Sequence, residues 1–91
     1  MQDKLFREFL EQSEQLTQKS IISRVARAKA AERIIGFSLD IVVGDDDKMF
    51  DALVALHPYE NPKHNPMQNA VRKYYIFKNG KEFPQLRYYK K

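Results

Sequence analysis

The chain has 91 residues, 43% of them hydrophobic, and a formal net charge of +4 from 16 Lys and Arg against 12 Asp and Glu. A chain of this length buries one modest core, which predicts a single domain and excludes an enzyme with a cleft between two domains. It has no cysteine for disulfides or thiolate zinc sites, no apolar run near membrane-spanning length and no apolar stretch of a secretory signal, so we expect a cytoplasmic protein.

The first predicted element is an amphipathic helix over about residues 3–15. Phe6, Phe9 and Leu10 recur at the spacing that places side chains on one face of a helix. The remaining positions are mostly acidic or polar, so the outer face of this helix is expected to be acidic.

A second helix is predicted from an N-cap at Thr17 or Ser20 to about Ile35. Both hydroxyl residues can accept a hydrogen bond from the first free amide groups of a helix. Gly36 is the expected residue after its end, because glycine enters the left-handed conformation at little cost. The core-facing side chains of this helix are predicted to be Ile21, Ile22, Val25, Ala28 and Ile35.

The next segment, residues 37–44, contains a β-branched run between two glycines. A strand is one interpretation, but the sequence offers no clear partner strand, so we expect a connector that buries Leu39 and Val42. The acidic triplet at residues 45–47 then begins a third helix, because carboxylates stabilise the positive end of a helix.

A proline-rich loop over residues 57–62 ends the third helix. Asn65 and Pro66 are typical of the N-cap and first position of a fourth helix, which the glycine of Asn79-Gly80 closes. Asn79-Gly80 is also a hairpin signal, so a hairpin is the alternative; the three-turn apolar stripe before it favours the helix. The sequence therefore predicts an all-α, four-helix domain over residues 1–86 and a basic tail over residues 87–91.

Catalytic groups are scarce in this sequence. His57 and His64 lie in a proline-rich loop without a neighbouring acid pair, and residues 45–47 lack the alternating acids and glycine of a calcium loop, so we predict no metal site. With three glycines and no serine in a nucleophile motif, neither a phosphate-binding loop nor covalent catalysis is indicated. We predict no enzyme activity and no cofactor.

Charge alternates in blocks along the chain. Residues 17–36 hold five bases and one acid, and residues 63–91 hold eight bases and one acid. Residues 1–16 hold four acids and two bases, and residues 37–62 hold six acids and one base. A fold that placed the basic blocks side by side would form a positive face that attracts phosphate. The alternative is that mixed charge only keeps a small domain in solution.

Residue types that contact DNA recur on both basic segments. Guanidinium, ammonium and hydroxyl groups contact phosphates, and Asn and Gln side chains contact base edges. Each residue alone is explained equally well as solvated surface. Together they predict a DNA-binding surface formed by Lys19, Ser20, Ser23, Arg24 and Arg27 on the second helix and by Asn65, Gln68, Asn69, Arg72 and Lys73 around the fourth.

The order of these motifs resembles the N-terminal, SAM-like core-binding domain of tyrosine recombinases, the phage-integrase class. The resemblance covers nearly the whole chain and is carried by Phe6-x-x-Phe9-Leu10, residues 16–21, residues 36–42, Asp47-x-x-Phe50-x-x-x-Val54, and residues 69–77 followed by Phe83-Pro84. It implies a SAM-like bundle that forms half of a C-shaped clamp around duplex DNA. The acidic first helix and the Lys-rich tail are not family features.

By position, the resemblance implies DNA contacts by Ser20, Arg24 and Arg27 on the second helix and by Asn65, Gln68, Asn69 and Arg72 on the fourth. The family's catalytic domain, with its Arg, Lys, His and Tyr groups, has no counterpart in this sequence. Strand cleavage is therefore not implied. What the resemblance implies is a DNA-binding module for recombination, either a recombinase fragment or a stand-alone protein of mobile-element origin.

A second hypothesis is a protein-interaction module, such as a small phage-encoded inhibitor or an oligomerisation domain. Tyrosine is favoured at protein interfaces, and acidic stretches would supply the surrounding charge. The contact surface would then consist of Glu8, Glu11, Glu14, residues 45–51, Tyr59, Tyr88 and Tyr89.

Overall fold

The computed structural model describes residues 1–13 and 16–90, and this part of the chain forms an all-α domain without a β-strand. Its helices are α1 (Asp3–Ser13), α2 (Gln18–Ile35), α3 (Leu39–Val43), α4 (Asp46–Leu56) and α5 (Pro66–Asn79), with 3₁₀ turns at His57–Tyr59 and Leu86–Tyr88. The all-α prediction is confirmed, and the alternative hairpin at Asn79-Gly80 does not form. The predicted end of the first helix at residue 15 lies outside the described residues.

Both ends of α2 are where local sequence chemistry predicts them. The side chain of Thr17 accepts a hydrogen bond from the Ser20 amide at 3.1 Å, so Thr17 and not Ser20 is the N-cap. Gly36 has φ 84°, and its amide donates to the carbonyl of Glu32. A residue with a β-carbon adopts this φ only with strain, so glycine determines where α2 ends.

The segment between α2 and α4 contains a short helix, α3, where a connector was expected. The Ser38 hydroxyl accepts the Asp40 amide at 3.2 Å, and the Glu32 carboxylate accepts the Leu39 amide at 2.8 Å. Leu39 and Val42 are buried, as predicted. Capping and burial together outweigh the low helix propensity of the β-branched residues in this single turn.

The core is built around aromatic side chains where α1 meets α5. The Phe6 ring lies 5.0 Å from that of Tyr74 and 5.7 Å from that of Phe77, measured between centroids. α2 packs along α5, and α3 and α4 close the other side of the core. This packing places the beginning of α2 beside the beginning of α5.

The C-terminal residues also pack against the helices. Phe83 is buried against Tyr75, and the ring of Tyr89 lies 5.1 Å from Phe83 and 5.5 Å from Phe50. The tail predicted over residues 87–91 is therefore anchored to the domain at Tyr89. Lys91 lies outside the described residues.

Three tyrosine hydroxyls donate to aspartates of the acidic segment. Tyr74 donates to Asp40 at 2.5 Å, Tyr75 to Asp46 at 2.8 Å, and Tyr89 to Asp47 at 2.6 Å. Burial and the bond to Asp40 raise the pKa of Tyr74 well above its usual value. Burial and the bond to Asp46 raise the pKa of Tyr75 to about 12, and the bond to Asp47 raises the pKa of Tyr89 to about 12.

These pKa shifts predict a loss of stability at alkaline pH. In the unfolded chain tyrosine ionises near pH 10, whereas Tyr74 and Tyr75 keep their protons to higher pH in the folded state. Their full contribution to the free energy of unfolding is present below about pH 10 and is lost as the pH rises through the folded-state pKa. In that window each buried tyrosine lowers the free energy of unfolding by up to about 1.4 kcal/mol per pH unit.

Urea unfolding between pH 8 and 11.5 measures this effect. The Tyr75→Phe variant is expected to be less stable at pH 8 and to lose less stability above pH 10 than the parent. Tyr88→Phe is the matched control, because Tyr88 is 67% exposed. A Tyr75→Phe profile parallel to that of the control would contradict the assignment.

Candidate nucleic-acid interface

A surface groove of about 380 Å³ lies between the first half of α2 and the start of α5, and we call it the α2–α5 groove. Among residues 1–13 and 16–90, none that lines it is acidic. Six of the ten predicted DNA-binding residues line it, namely Lys19, Ser20, Ser23, Arg24, Arg27 and Asn69. Two residues that were not predicted, His64 and Pro66, complete the lining. The structure therefore brings most of the predicted surface into one site.

The periodicity of α2 explains how one helix supplies five of these residues. Ile21, Val25 and Ala28 are buried against the other helices, whereas Ile22, which was also expected in the core, is 57% exposed. Side chains three and four residues apart share a helix face, so the residues between these apolar positions point away from the core. The polar face of α2 forms one wall of the groove for this reason.

The bases of the groove are available for an anion. Among the ion pairs of residues 1–13 and 16–90, none involves Lys19, Arg24 or Arg27. Elsewhere on the surface, Lys29 pairs with Asp3, and Lys78 lies 3.6 Å from Asp40. Three cations that have no ion-pair partner in the described part of the chain surround a concave surface, and such an arrangement produces a positive potential that attracts phosphate.

His64 enters the groove through a turn that helical periodicity did not reveal. The His64 amide donates to the carbonyl of Asn61 at 3.0 Å, and the Asn61 side chain accepts the Lys63 amide at 2.8 Å. This local geometry, typical of Asn in turns, places His64 in the lining of the groove together with Arg27 and Asn69. The sequence signal for this turn is the dipeptide Asn61-Pro62.

The start of α5 is capped by Glu60, although Asn65 occupies the N-cap position as predicted. The Asn65 side chain makes no capping hydrogen bond. The Glu60 carboxylate instead accepts the amides of Met67 at 2.5 Å and Gln68 at 2.9 Å. Asn65 is half-buried and is not among the residues that line the groove.

Three further predicted contacts are not brought to the groove. Gln68 is 7% exposed, so the base contact predicted for it is not available in this fold. Arg72 donates from Nη1 to the carbonyls of Phe83 at 2.9 Å and Pro84 at 3.2 Å. Lys73 is half-buried and does not line the groove. Burial lowers the pKa of the Arg72 guanidinium from its usual value, in keeping with a structural position.

Arg72→Met tests whether this arginine holds the C-terminal segment. The variant leaves two carbonyls without their donor, so we expect the free energy of unfolding to fall by about 1–3 kcal/mol. Its affinity for duplex DNA is expected to stay within about twofold of the parent because it loses no groove contact. Chemical denaturation and a DNA titration measure the two effects. A large loss of DNA affinity without a loss of stability would mean that Arg72 contacts DNA, as the sequence predicts.

Part of the surface predicted for a protein partner makes hydrogen bonds within the domain, whereas Glu8 and Glu11 are exposed. Asp45 caps α4 by accepting the amides of Asp47 and Lys48, and Asp46 and Asp47 accept tyrosine hydroxyls. Tyr89 is packed, whereas Tyr59 and Tyr88 are 63% and 67% exposed. Glu14 lies outside the described residues.

A second, mainly apolar groove of about 340 Å³ lies between α4 and the end of α2. Ile35, Phe37, Val42, Ala52 and Ala55 form its apolar lining, with Lys48 and Asp51 beside them. Phe37 is 62% exposed there, between the C-cap of α2 and the N-cap of α3.

No group of three metal-binding side chains is present in the described part of the chain, and none of its helices is long and apolar enough to cross a membrane. No family model, curated protein or solved structure matches the chain. The resemblance to recombinase core-binding domains therefore stays a prediction from the residues themselves.

Proposed function

We propose that this domain binds duplex DNA through the α2–α5 groove. The observation that carries the proposal is the convergence of Lys19, Arg24 and Arg27 with Asn69 on one concave surface, to which the described residues contribute no acid. These side chains come from two helices between which residues 36–65 lie in the sequence. If mixed charge only kept the domain in solution, these side chains would have no reason to converge.

The residues of the groove have complementary roles in this proposal. Lys19, Arg24 and Arg27 contact phosphates, and the hydroxyls of Ser20 and Ser23 add uncharged hydrogen bonds to the same backbone. Asn69 is exposed at the edge of the groove, and an asparagine can bond both N6 and N7 of adenine in the major groove. With Gln68 buried, base discrimination rests on Asn69.

The resemblance to recombinase core-binding domains agrees with this assignment, because it implies DNA contacts from the same two helices. A module of that kind surrounds half of a duplex, so we expect weak binding by the isolated domain, in the micromolar range typical of non-specific contacts. The proposed function is DNA binding without catalysis. We propose further that the domain is a recombination module of mobile-element origin and that it acts in the cytoplasm.

The salt dependence of binding tests the proposal. Three phosphate contacts predict that log K falls with log salt at a slope of about −3, against −4 to −5 for a surface that also used Arg72 and Lys73. Fluorescence anisotropy of a labelled duplex of about 25 base pairs between 25 and 200 mM salt measures this slope. A flat response would remove the electrostatic basis of the proposal.

Protein binding is the second candidate function, and the exposed Phe37 in the apolar groove favours it. A partner that covered this ring would gain apolar burial. Light scattering over a range of concentrations tests self-association, and Phe37→Ser is expected to abolish any rise in mass. A constant mass in the parent contradicts an oligomerisation domain.

A further inference from the structure

A second cavity, of about 320 Å³, adjoins the α2–α5 groove. Arg27, His64 and Pro66 line both spaces. The remaining lining of this second cavity is Tyr59, Glu60, Asn61 and Met67, and we call it the Tyr59 pocket. It differs from the groove because it contains an exposed aromatic ring and an apolar side chain beside its polar groups.

We propose that the Tyr59 pocket holds one unpaired base of a nucleic-acid strand whose phosphates lie in the α2–α5 groove. This inference rests on the proposed function, because the groove must first hold the backbone. It extends that function from an intact duplex to DNA that contains an unpaired nucleotide.

Tyr59 is the side chain that favours a base in this pocket. It is 63% exposed and belongs to the 3₁₀ turn His57–Tyr59, which follows α4 directly. An exposed aromatic ring offers a stacking surface, and bases of any sequence stack on such rings with useful energy. A paired base inside a duplex cannot reach the ring, because its faces are covered by its neighbours.

The polar groups of the pocket fit a base attached to a bound backbone. The Oδ1 atom of Asn61 accepts the Lys63 amide, which leaves the Nδ2 group to donate to ring nitrogens and carbonyls of a base. Arg27 lines both the groove and the pocket. Its guanidinium can therefore contact the phosphate that links the unpaired nucleotide in the pocket to the backbone in the groove.

Glu60 is the one acid among the described residues that line the Tyr59 pocket. Its carboxylate accepts the amides of Met67 and Gln68 at the start of α5, where the helix dipole also favours negative charge. Glu60 is therefore held as a wall of the pocket, and its charge is partly offset there.

The experiment compares two probes of identical sequence and label. One is a 25-base-pair duplex, and the other is the same duplex with three unpaired adenines bulged at its centre. We expect the parent protein to bind the bulged probe about fivefold more tightly or better, given the usual contribution of one stacked base. With 2-aminopurine in place of one bulged adenine, stacking on Tyr59 is expected to quench its fluorescence.

Variants assign the preference to the pocket. Tyr59→Leu keeps apolar volume but removes the stacking ring, so we expect it to bind both probes equally, without quenching, and to retain the parent's affinity for the intact duplex. Tyr88→Leu removes an equally exposed ring outside the pocket and is expected to behave like the parent. Circular dichroism checks that both variants are folded.

The outcomes separate this inference from the proposed function. Equal affinity of the parent for both probes would overturn the inference and leave duplex binding intact. A preference for the bulge that survives Tyr59→Leu would overturn it as well. Failure to bind either probe would overturn both proposals.

Discussion

The double variant Arg24→Glu/Arg27→Glu is expected to lose about 100-fold in affinity for a 25-base-pair duplex at low salt, because two phosphate contacts are replaced by repulsion. The slope of log K against log salt should fall in magnitude by about 2. Neither side chain has an ion-pair partner within the described residues, and glutamate has a good helix propensity, so α2 should persist.

The matched control is Arg7→Glu/Arg33→Glu, which changes the net charge by the same amount at exposed positions outside the groove. It lowers only the long-range attraction, so we expect a loss of less than about tenfold that disappears near 0.2 M salt. Equal losses in the two double variants would mean that net charge, and not the groove, controls binding.

Phe6→Ala is expected to have the largest effect on stability. The ring is fully buried and packs against Tyr74 and Phe77 at the junction of α1 and α5. Removing a buried phenylalanine costs about 3–5 kcal/mol, whereas a domain of this size has a total of about 5–14 kcal/mol. The melting temperature should fall by about 15 °C or more.

Leu5→Ala is the control for this prediction, because Leu5 precedes Phe6 on the same helix but is 50% exposed. Its free energy of unfolding is expected to stay within about 0.5–1 kcal/mol of the parent's. Thermal and urea unfolding measure both variants. Similar losses of stability at the two positions would contradict the assignment of Phe6 to the core-facing side of α1 and of Leu5 to its exposed side.

Boundaries encoded by local chemistry were predictable from the sequence. Thr17 and Gly36 limit α2, and Pro66 and Gly80 limit α5, because caps and left-handed turns depend on one or two residues. α3 was not predictable in the same way. Its single turn is stabilised by Glu32 and by packing against α4 and α5, which are contacts from distant parts of the chain.

The same distinction applies to the candidate site. The outward face of α2 follows from its own periodicity, so all five residues predicted there line the groove. Around α5 the prediction was less complete, because the side chain of Arg72 is engaged by the returning C-terminal segment and Gln68 is covered by neighbouring elements. His64 was missed because a loop turn, and not a helical repeat, determines its position.

Amide chemical-shift mapping of the ¹⁵N-labelled domain, titrated with an unlabelled 25-base-pair duplex, tests the central claim most directly. The account predicts that the largest shifts occur at Lys19, Ser23, Arg27, His64 and Asn69, around the α2–α5 groove. Shifts confined to Phe37 and α4, or no shifts at low salt, would contradict it.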